Sequence, residues 1–287
     1  MTITRRRWPV RAATALFLVS ALTGTACNDS QEGPSVLTGT VKVGSKYDQP
    51  GFHVHHDHED AGFDTDLARY LGQELGFQPA FLDVPSARRE QSLENGHSDL
   101  VIATYSITPE RQKRVDFAGP YLKTYQGLLV RAGDRRIRKR ADVADKILCT
   151  AAGSTSTRKF LPPGTTLYER SDYSTCVKEL LDENVDAVFT DTAVLHGFTQ
   201  QYGNNRLRVL PDVTFGTPNY YGVGLPKGHQ SDCQRIAAAL KRYLQGSAWA
   251  TSFRAHLPAI VAAHPGTWEN KYKPDPGAMD EYSCRSD

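Results

Sequence analysis

Short apolar runs of strand character alternate with helix-period segments along most of this 287-residue chain. That order constrains the fold more than any other feature, because parallel strands need a crossover between them and the usual crossover is a helix. It predicts an α/β fold with mostly parallel sheet. Residues 41–44 open as a strand. Phe63, Leu67, Leu71 and Leu75 then recur at every fourth position, with Arg69, Gln73 and Glu74 elsewhere. This spacing predicts an amphipathic helix with Asp64 as its N-cap and Gly76 as its stop. A strand at 79–84, a helix from Ser86 and a strand at 100–104 follow. Residues 127–130 are an extended apolar segment leading into a basic, polar stretch at 131–140. A second set starts at Ile147: a strand into Gly153, a helix at 173–182, a strand at 186–190, a helix at 192–200 and a strand at 207–210. Residues 220–225 are again extended. Ile236, Leu240 and Leu244 mark one further helix, and Trp249 and Phe253 another. The tail from Ala262, rich in Pro, Gly and charge, reads as irregular chain pinned near Cys284.

Arg5, Arg6, Arg7 and Arg11 precede an apolar stretch from Ala12 to Leu22, and Gly24, Thr25 and Ala26 lead into Cys27. A basic segment, a short apolar core and a small-residue cleavage site make residues 1–26 an expected secretory signal, too short to span a bilayer. Cys27 stands where a bacterial lipoprotein signal places its lipidated cysteine, so residues 27–38 read as a lipid-anchored tether. Such signals usually carry Leu three residues before the cysteine, where this chain has Gly24. An ordinary cleaved signal followed by a stray cysteine is the alternative. Either way the expected location is outside the cytoplasm, with lipidation placing the chain on the outer face of the cell membrane.

The whole chain has 34 basic and 32 acidic residues, but residues 1–26 hold four arginines and no acid, so the remainder carries 30 against 32. The apparent basicity belongs to the signal, and nothing favours nucleic acid as a partner. The remaining cysteines, Cys149, Cys176, Cys233 and Cys284, are an even set outside the cytosol. This favours disulfides, and the spacings fit no zinc pattern. Four cysteines allow three pairings. We expect Cys149–Cys176 and Cys233–Cys284, because each pair falls within one region of the chain. Free, buried thiols are the alternative.

Residues 62–68, Gly-Phe-Asp-Thr-Asp-Leu-Ala, resemble the signature helix start of the family 3 extracellular solute-binding proteins, the polar amino-acid-binding subunits of ABC transporters. Residues 106–117, Ser-Ile-Thr-Pro-Glu-Arg-Gln-Lys-Arg-Val-Asp-Phe, resemble that family's most distinctive stretch, continued by Gly119-Pro120-Tyr121. Residues 153–156 and 185–191 resemble its second lobe. The matches run in family order over about residues 39 to 256. The resemblance implies a two-lobed, type II periplasmic-binding-protein-like fold joined by two hinge strands. Residues 39–130 and 224–287 would form the first lobe and 131–223 the second. Each expected disulfide then lies inside one lobe. A cleft that closes by hinge motion would hold the ligand. The resemblance also implies a monomer that delivers an amino acid to an ABC-type permease, with no catalytic residues, cofactor or metal.

An α-amino acid presents a carboxylate and an ammonium on one carbon. Arg111 matches the family's carboxylate-binding arginine, and a guanidinium suits a carboxylate through two parallel charge-assisted hydrogen bonds. A surface arginine in a charged turn, as Arg114 is read, is the alternative. Thr104 and Ser106 match positions that help hold the carboxylate and ammonium. Ser154 and Thr155, read as opening a helix after a strand, would complete the carboxylate site with helix N-terminal amides. Asp191 matches the aspartate that accepts the ammonium, against a plain N-cap role for the helix after it. Lys46 lies in a stretch, 44–51, that resembles the glutamate/aspartate branch, and Arg89 matches an arginine that reaches the distal carboxylate. These two imply glutamate or aspartate as ligand, with glutamine or asparagine next. Surface ion pairs are the alternative for both, and Arg88 reads as a solvent-facing neighbour. Tyr173 is either a pocket wall or a packed aromatic, and Phe52 and Tyr105 either cover the ligand's aliphatic part or pack in the core.

His53, His55, His56 and His58, with Asp57, Glu59 and Asp60, crowd the loop before the first helix and depart from the family pattern. A histidine tract can bind zinc or copper, but a solvated loop is the expectation. Two other functions stay open: a sensor reporting amino-acid availability to a membrane partner, and a dehydratase on the same fold.

Overall fold

The structure is a computed structural model that describes residues 1–4 and 33–285. The rest of the expected signal, Cys27 and the start of the tether lie outside the described residues. Three parallel strands begin the body, with Gly39–Ser45 between Phe77–Asp83 and Leu100–Val101. A second parallel set has Ile147–Ala151 between Thr166–Arg170 and Ala187–Asp191. Two long strands, Asp116–Arg131 and Phe215–Leu225, lie antiparallel between the sets. At one end Gly224 pairs with Val101; at the other, residues 126–129 pair with the strand Ala187–Asp191. The result is two α/β lobes joined through two crossing strands.

The helix Phe63–Leu75 buries Phe63, Leu67 and Leu71 on one face, as its period requires, and ends at Gly76 with a left-handed φ of 83°. Its start corrects the sequence reading. The cap is Gly62, not Asp64, and it makes no side-chain cap bond. Gly62 has φ 144°, and a Cβ there would stand 2.0 Å from Phe52 O. The close approach of the incoming chain leaves room only for glycine, so Asp64 becomes the helix's second residue and points inward. Phe63 anchors the core, with ring centroids of Trp249 and Phe253 both at 5.8 Å. The indole of Trp249 donates to Tyr121 O at 2.7 Å.

Three further expectations change. The strand predicted at 100–104 is only Leu100–Val101, because Thr104 takes a left-handed φ of 45° and turns the chain into the cleft. The histidine-rich loop is a hairpin, His53–His56 with Glu59–Ala61, extended by Asp48–Gln49. The tail is not irregular. It forms short helices at Trp268–Tyr272 and Met279–Tyr282, because Trp268, Tyr272 and Met279 each bury an apolar side chain. Trp268 stacks on Phe253 at 5.0 Å. Two disulfides are present, Cys149–Cys176 and Cys233–Cys284, with Cα separations of 5.4 and 5.6 Å. Among the described residues, no helix is long and apolar enough to cross a membrane.

Candidate functional site

In both lobes the carboxyl ends of the parallel strands face one cleft, the usual place for a ligand in an open α/β sheet. Lys46 follows the strand Gly39–Ser45, Thr104 follows Leu100–Val101, Ser154 follows Ile147–Ala151, and Asp191 ends its own strand. There a small cavity lies between Arg89, Thr104 and Ser106 of the first set and Ser154, Thr155, Tyr173 and Asp191 of the second. Ser86, Thr190 and Val194 complete the wall. Seven of the nine expected binding residues therefore meet around one space. Arg111 borders a wider chamber next to it, together with Ser154 and Thr155.

The arginines occupy a built position. Arg111 is 9% exposed, and Arg89 2%. Both guanidiniums stack on Tyr105, at 5.0 and 4.6 Å from its ring centre. Arg111 donates to Ser106 O and Gly153 O, each at 2.8 Å, and its Nε meets Glu90 Oε1 at 3.0 Å. Arg89 donates to Ser86 O, Ala103 O and Gly153 O. Neither is a surface arginine, whereas Arg114 pairs with Glu94 at the surface and Arg88 is exposed. Burial, and then neighbouring Arg89, lower Arg111 to about 10, so it remains a cation at neutral pH. Burial raises the Glu90 carboxyl, but Arg111 and Arg89 outweigh it and hold Glu90 below the usual carboxylate range. Glu90 thus orients Arg111. Sequence reasoning missed it, although its place beside Arg89 was open to reading.

Asp64 supports the same wall. It is fully buried, and its carboxylate accepts from Thr104 N and from Tyr121 OH, both at 2.9 Å. Burial raises it to about 7. The bond to Thr104 N holds that residue in its left-handed conformation, which a side chain adopts only with support. Thr104 Oγ1 donates to Gln49 Oε1 at 2.8 Å.

On the second lobe, Asp191 sits at the N-cap position of the helix Thr192–Tyr202 yet makes no cap bond. Its oxygens accept from Asn219 Nδ2 at 2.7 Å and Tyr221 OH at 2.6 Å. Burial raises its carboxyl against those two donors and against Arg111 and Arg89. Asn219 and Tyr221 stand two apart on the strand Phe215–Leu225, and that alternation is the signal that would have exposed them as one polar face. Ser154 and Thr155 do not open a helix. They lie in a turn, and the nearest helical segment is the three-residue turn Arg158–Phe160. Ser154 Oγ is already committed to Thr150 and Ser156, so the local bonds favour the turn. Gly153 has φ 75°, and a Cβ there would lie 2.5 Å from Ala87 Cα. The lobes touch at this glycine, and the cleft is closed.

Lys46 is buried but does not line the cavity. Its Nζ meets Asp48 Oδ1 at 2.9 Å and stands 5.4 Å from the Tyr173 ring centre. Asp48 also accepts from Tyr173 N at 2.9 Å across the cleft. Tyr173 OH accepts from Thr190 Oγ1 at 2.7 Å, so this aromatic is both packed and part of the wall. Phe52 is core, packed on Phe63 and Tyr221. In the hairpin, His53 is buried between Ser45 Oγ and Asp60 Oδ1, whereas His55, His56 and His58 are exposed. Among the described residues, no three His, Cys, Asp or Glu side chains are grouped to hold a metal.

Residues 41–258 match the bacterial extracellular solute-binding proteins, family 3. The chain is 40% identical over 255 residues to the glutamate-binding protein GluB of Corynebacterium efficiens, covering 82% of this chain and 86% of that one. It is also 40% identical over 257 residues to GluB of Corynebacterium glutamicum, covering 83% and 86%. Among solved structures it superposes on an ancestral arginine-binding protein bound to glutamine, with TM-score 0.70, 29% identity and coverage of 76% and 98%. The closed two-lobed fold, the cleft between crossing strands and these likenesses agree: the chain belongs to the family 3 extracellular solute-binding proteins and binds an amino acid.

Proposed function

We propose that the chain captures an acidic amino acid, glutamate or aspartate, in the cleft between lobes 39–130 plus 224–287 and 131–223. One observation carries this reading: the buried Arg89 guanidinium and the buried Asp191 carboxylate line one cavity, and the buried Arg111 guanidinium borders the chamber beside it, with Ser154 and Thr155 common to both. Glutamate brings two carboxylates and one ammonium, the complementary set. In this reading Arg111, Thr104, Ser106, Ser154 and Thr155 take the α-carboxylate, Asp191 the ammonium, and Arg89 the distal carboxylate. Tyr173 closes the wall. Lys46 acts from behind Tyr173, with much of its charge met by Asp48. The 40% identity to two proteins named for glutamate binding supports the same ligand.

The chain acts without chemistry of its own: a monomer held at the outer face of the membrane through lipidated Cys27, after removal of residues 1–26, passes its ligand to an ABC-type permease. The family assignment supports the permease, and the sequence around Cys27 supports the anchor. Calorimetry across the common amino acids tests the ligand. Glutamate or aspartate binds more tightly than glutamine by roughly 10- to 100-fold, the worth of one charge-assisted hydrogen bond, and lysine does not bind. Preference for a cationic or a large apolar amino acid overturns the roles of Arg89 and Lys46. Lipid labelling that persists in Cys27→Ala overturns the anchor.

A further inference from the structure

Thr155 Oγ1 accepts from two amides, one on each crossing strand. Asn219 Nδ2 lies 3.0 Å away and Gln126 Nε2 3.4 Å. Neither amide is free to turn over. Asn219 Nδ2 also donates to Asp191 Oδ1, and an ionised carboxylate only accepts. Gln126 Nε2 also donates to Thr155 O at 3.0 Å, and a carbonyl only accepts.

A hydroxyl has two lone pairs and one hydrogen. With both lone pairs met by N–H groups, the Thr155 hydrogen must leave on the remaining side. Ser106 Oγ stands there, 3.5 Å off, across the cavity both residues line. That contact and the 3.4 Å one from Gln126 are both long, so each holds the hydroxyl only weakly, and Asn219 at 3.0 Å holds it best. The hydrogen is therefore available to an acceptor that enters the cavity. Gln126 keeps its place at some penalty, since its Oε1 is buried with no donor among the described residues. The amide is held there for its nitrogen.

We propose that Gln126 and Asn219 are positioning residues for amino-acid binding: they fix the Thr155 hydroxyl as a donor to the ligand's carboxylate, and Asn219 fixes Asp191 as the acceptor of its ammonium. The inference rests on the assignment of Thr155 and Asp191 to the ligand under the proposed function. It adds that the polarity of the second lobe's half of the site is set by the two strands that join the lobes. A shift of either strand against residue 155 releases the hydroxyl, so the site is formed only when those strands sit as they do here.

The test is calorimetry with the common amino acid that the native chain binds most tightly, L-glutamate by expectation. The variants are Gln126→Leu, Gln126→Glu, Asn219→Leu, Thr155→Val, Asp191→Asn and the double Gln126→Leu/Thr155→Val, each with a thermal melt to show a folded chain. Each single variant weakens binding roughly ten-fold or more. Gln126→Glu keeps the shape without the donor and behaves as Gln126→Leu. In the Thr155→Val background, Gln126→Leu has no further effect, whereas a general loosening of the fold would persist there. Additive losses, or native affinity in both Gln126 variants or in Asn219→Leu, overturn the proposal and leave the ligand assignment standing. Native affinity in Thr155→Val and Asp191→Asn overturns the ligand assignment and this inference with it.

Discussion

Asp64→Asn should stabilise the protein at neutral pH and remove a pH dependence that the native chain carries. The carboxyl is fully buried and stands at about 7, against an ordinary value of 3.8. Its folded value is raised, so between those values the folded state holds the proton that the unfolded state has released. Native stability from this group is therefore greatest near the lower value and is lost as pH rises towards the upper one. Each pH unit well inside that window changes stability by about 1.4 kcal/mol, and the slope halves at the upper value, so from about pH 5 to about pH 7 the native chain loses roughly 2.3 kcal/mol through this residue alone. Asparagine titrates nothing. It also fits: its Oδ1 can accept from Thr104 N, and its Nδ2 can donate to Tyr121 OH, which turns from donor to acceptor. The assay is urea unfolding of both chains at the two pH values, with unchanged slopes. The difference between variant and native should move by roughly 2–3 kcal/mol in the variant's favour on going to the higher pH. A difference that stays constant within about 0.5 kcal/mol would refute the buried, titrating carboxyl. Amino-acid affinity serves as the companion measurement, since Thr104 keeps its backbone acceptor and should still bind.

Arg111→Ala should weaken amino-acid binding by at least roughly 100-fold, because two charge-assisted hydrogen bonds go with it, and Arg111→Lys should lose nearly as much because the fork is gone; calorimetric affinity within ten-fold of native would rule out the role. Affinity should fall as pH drops, because the ammonium needs Asp191 ionised and burial raises that carboxyl, with Tyr221 and Asn219, then Arg111 and Arg89, acting against it. Tyr221→Phe removes one of those donors, so its loss of affinity should begin at a higher pH than in the native chain, and superimposable pH profiles from calorimetry would sink the idea. Replacing Cys233 and Cys284 together by serine opens a bridge of sequence separation 51. Loop entropy puts the destabilisation at about 4 kcal/mol, read by urea unfolding, and a change under about 1 kcal/mol would show that the tail holds without it.

The sequence by itself determined the periodic part of this protein. The four-residue recurrence through Phe63 and Leu71, the apolar run before Asp191 and the alternation of strand and helix each depend on local spacing, and the helix Phe63–Leu75 and the strand Ala187–Asp191 formed where their patterns stand. The residues that converge on the cleft were legible too, since Arg89, Thr104, Ser106, Ser154, Thr155, Tyr173 and Asp191 lie at strand ends, turns and helix starts that the order of elements brings together. What only the tertiary structure decided is how those side chains are used. Asp64 has the composition and position of a helix cap, yet the approach of Phe52 O to Gly62 moves it inward to hold Thr104. Lys46 has the charge that a distal carboxylate would meet, yet only the structure shows that Asp48, two residues on, pairs with it and that it stands outside the cavity wall. Glu90, Asn219 and Tyr221 stand in places that could draw notice, but neither their partners nor that of Gln126 is legible, because a hydrogen-bond partner tens of residues away leaves no mark on the spacing around a residue. The tail is the same case: its Pro- and Gly-rich composition reads as irregular, and only the surface offered by Trp249 and Phe253 gives Trp268 a place to be buried and the chain a reason to turn into helices. Periodicity is written locally, whereas burial, partner choice and the protonation of a carboxyl depend on what the rest of the chain brings alongside.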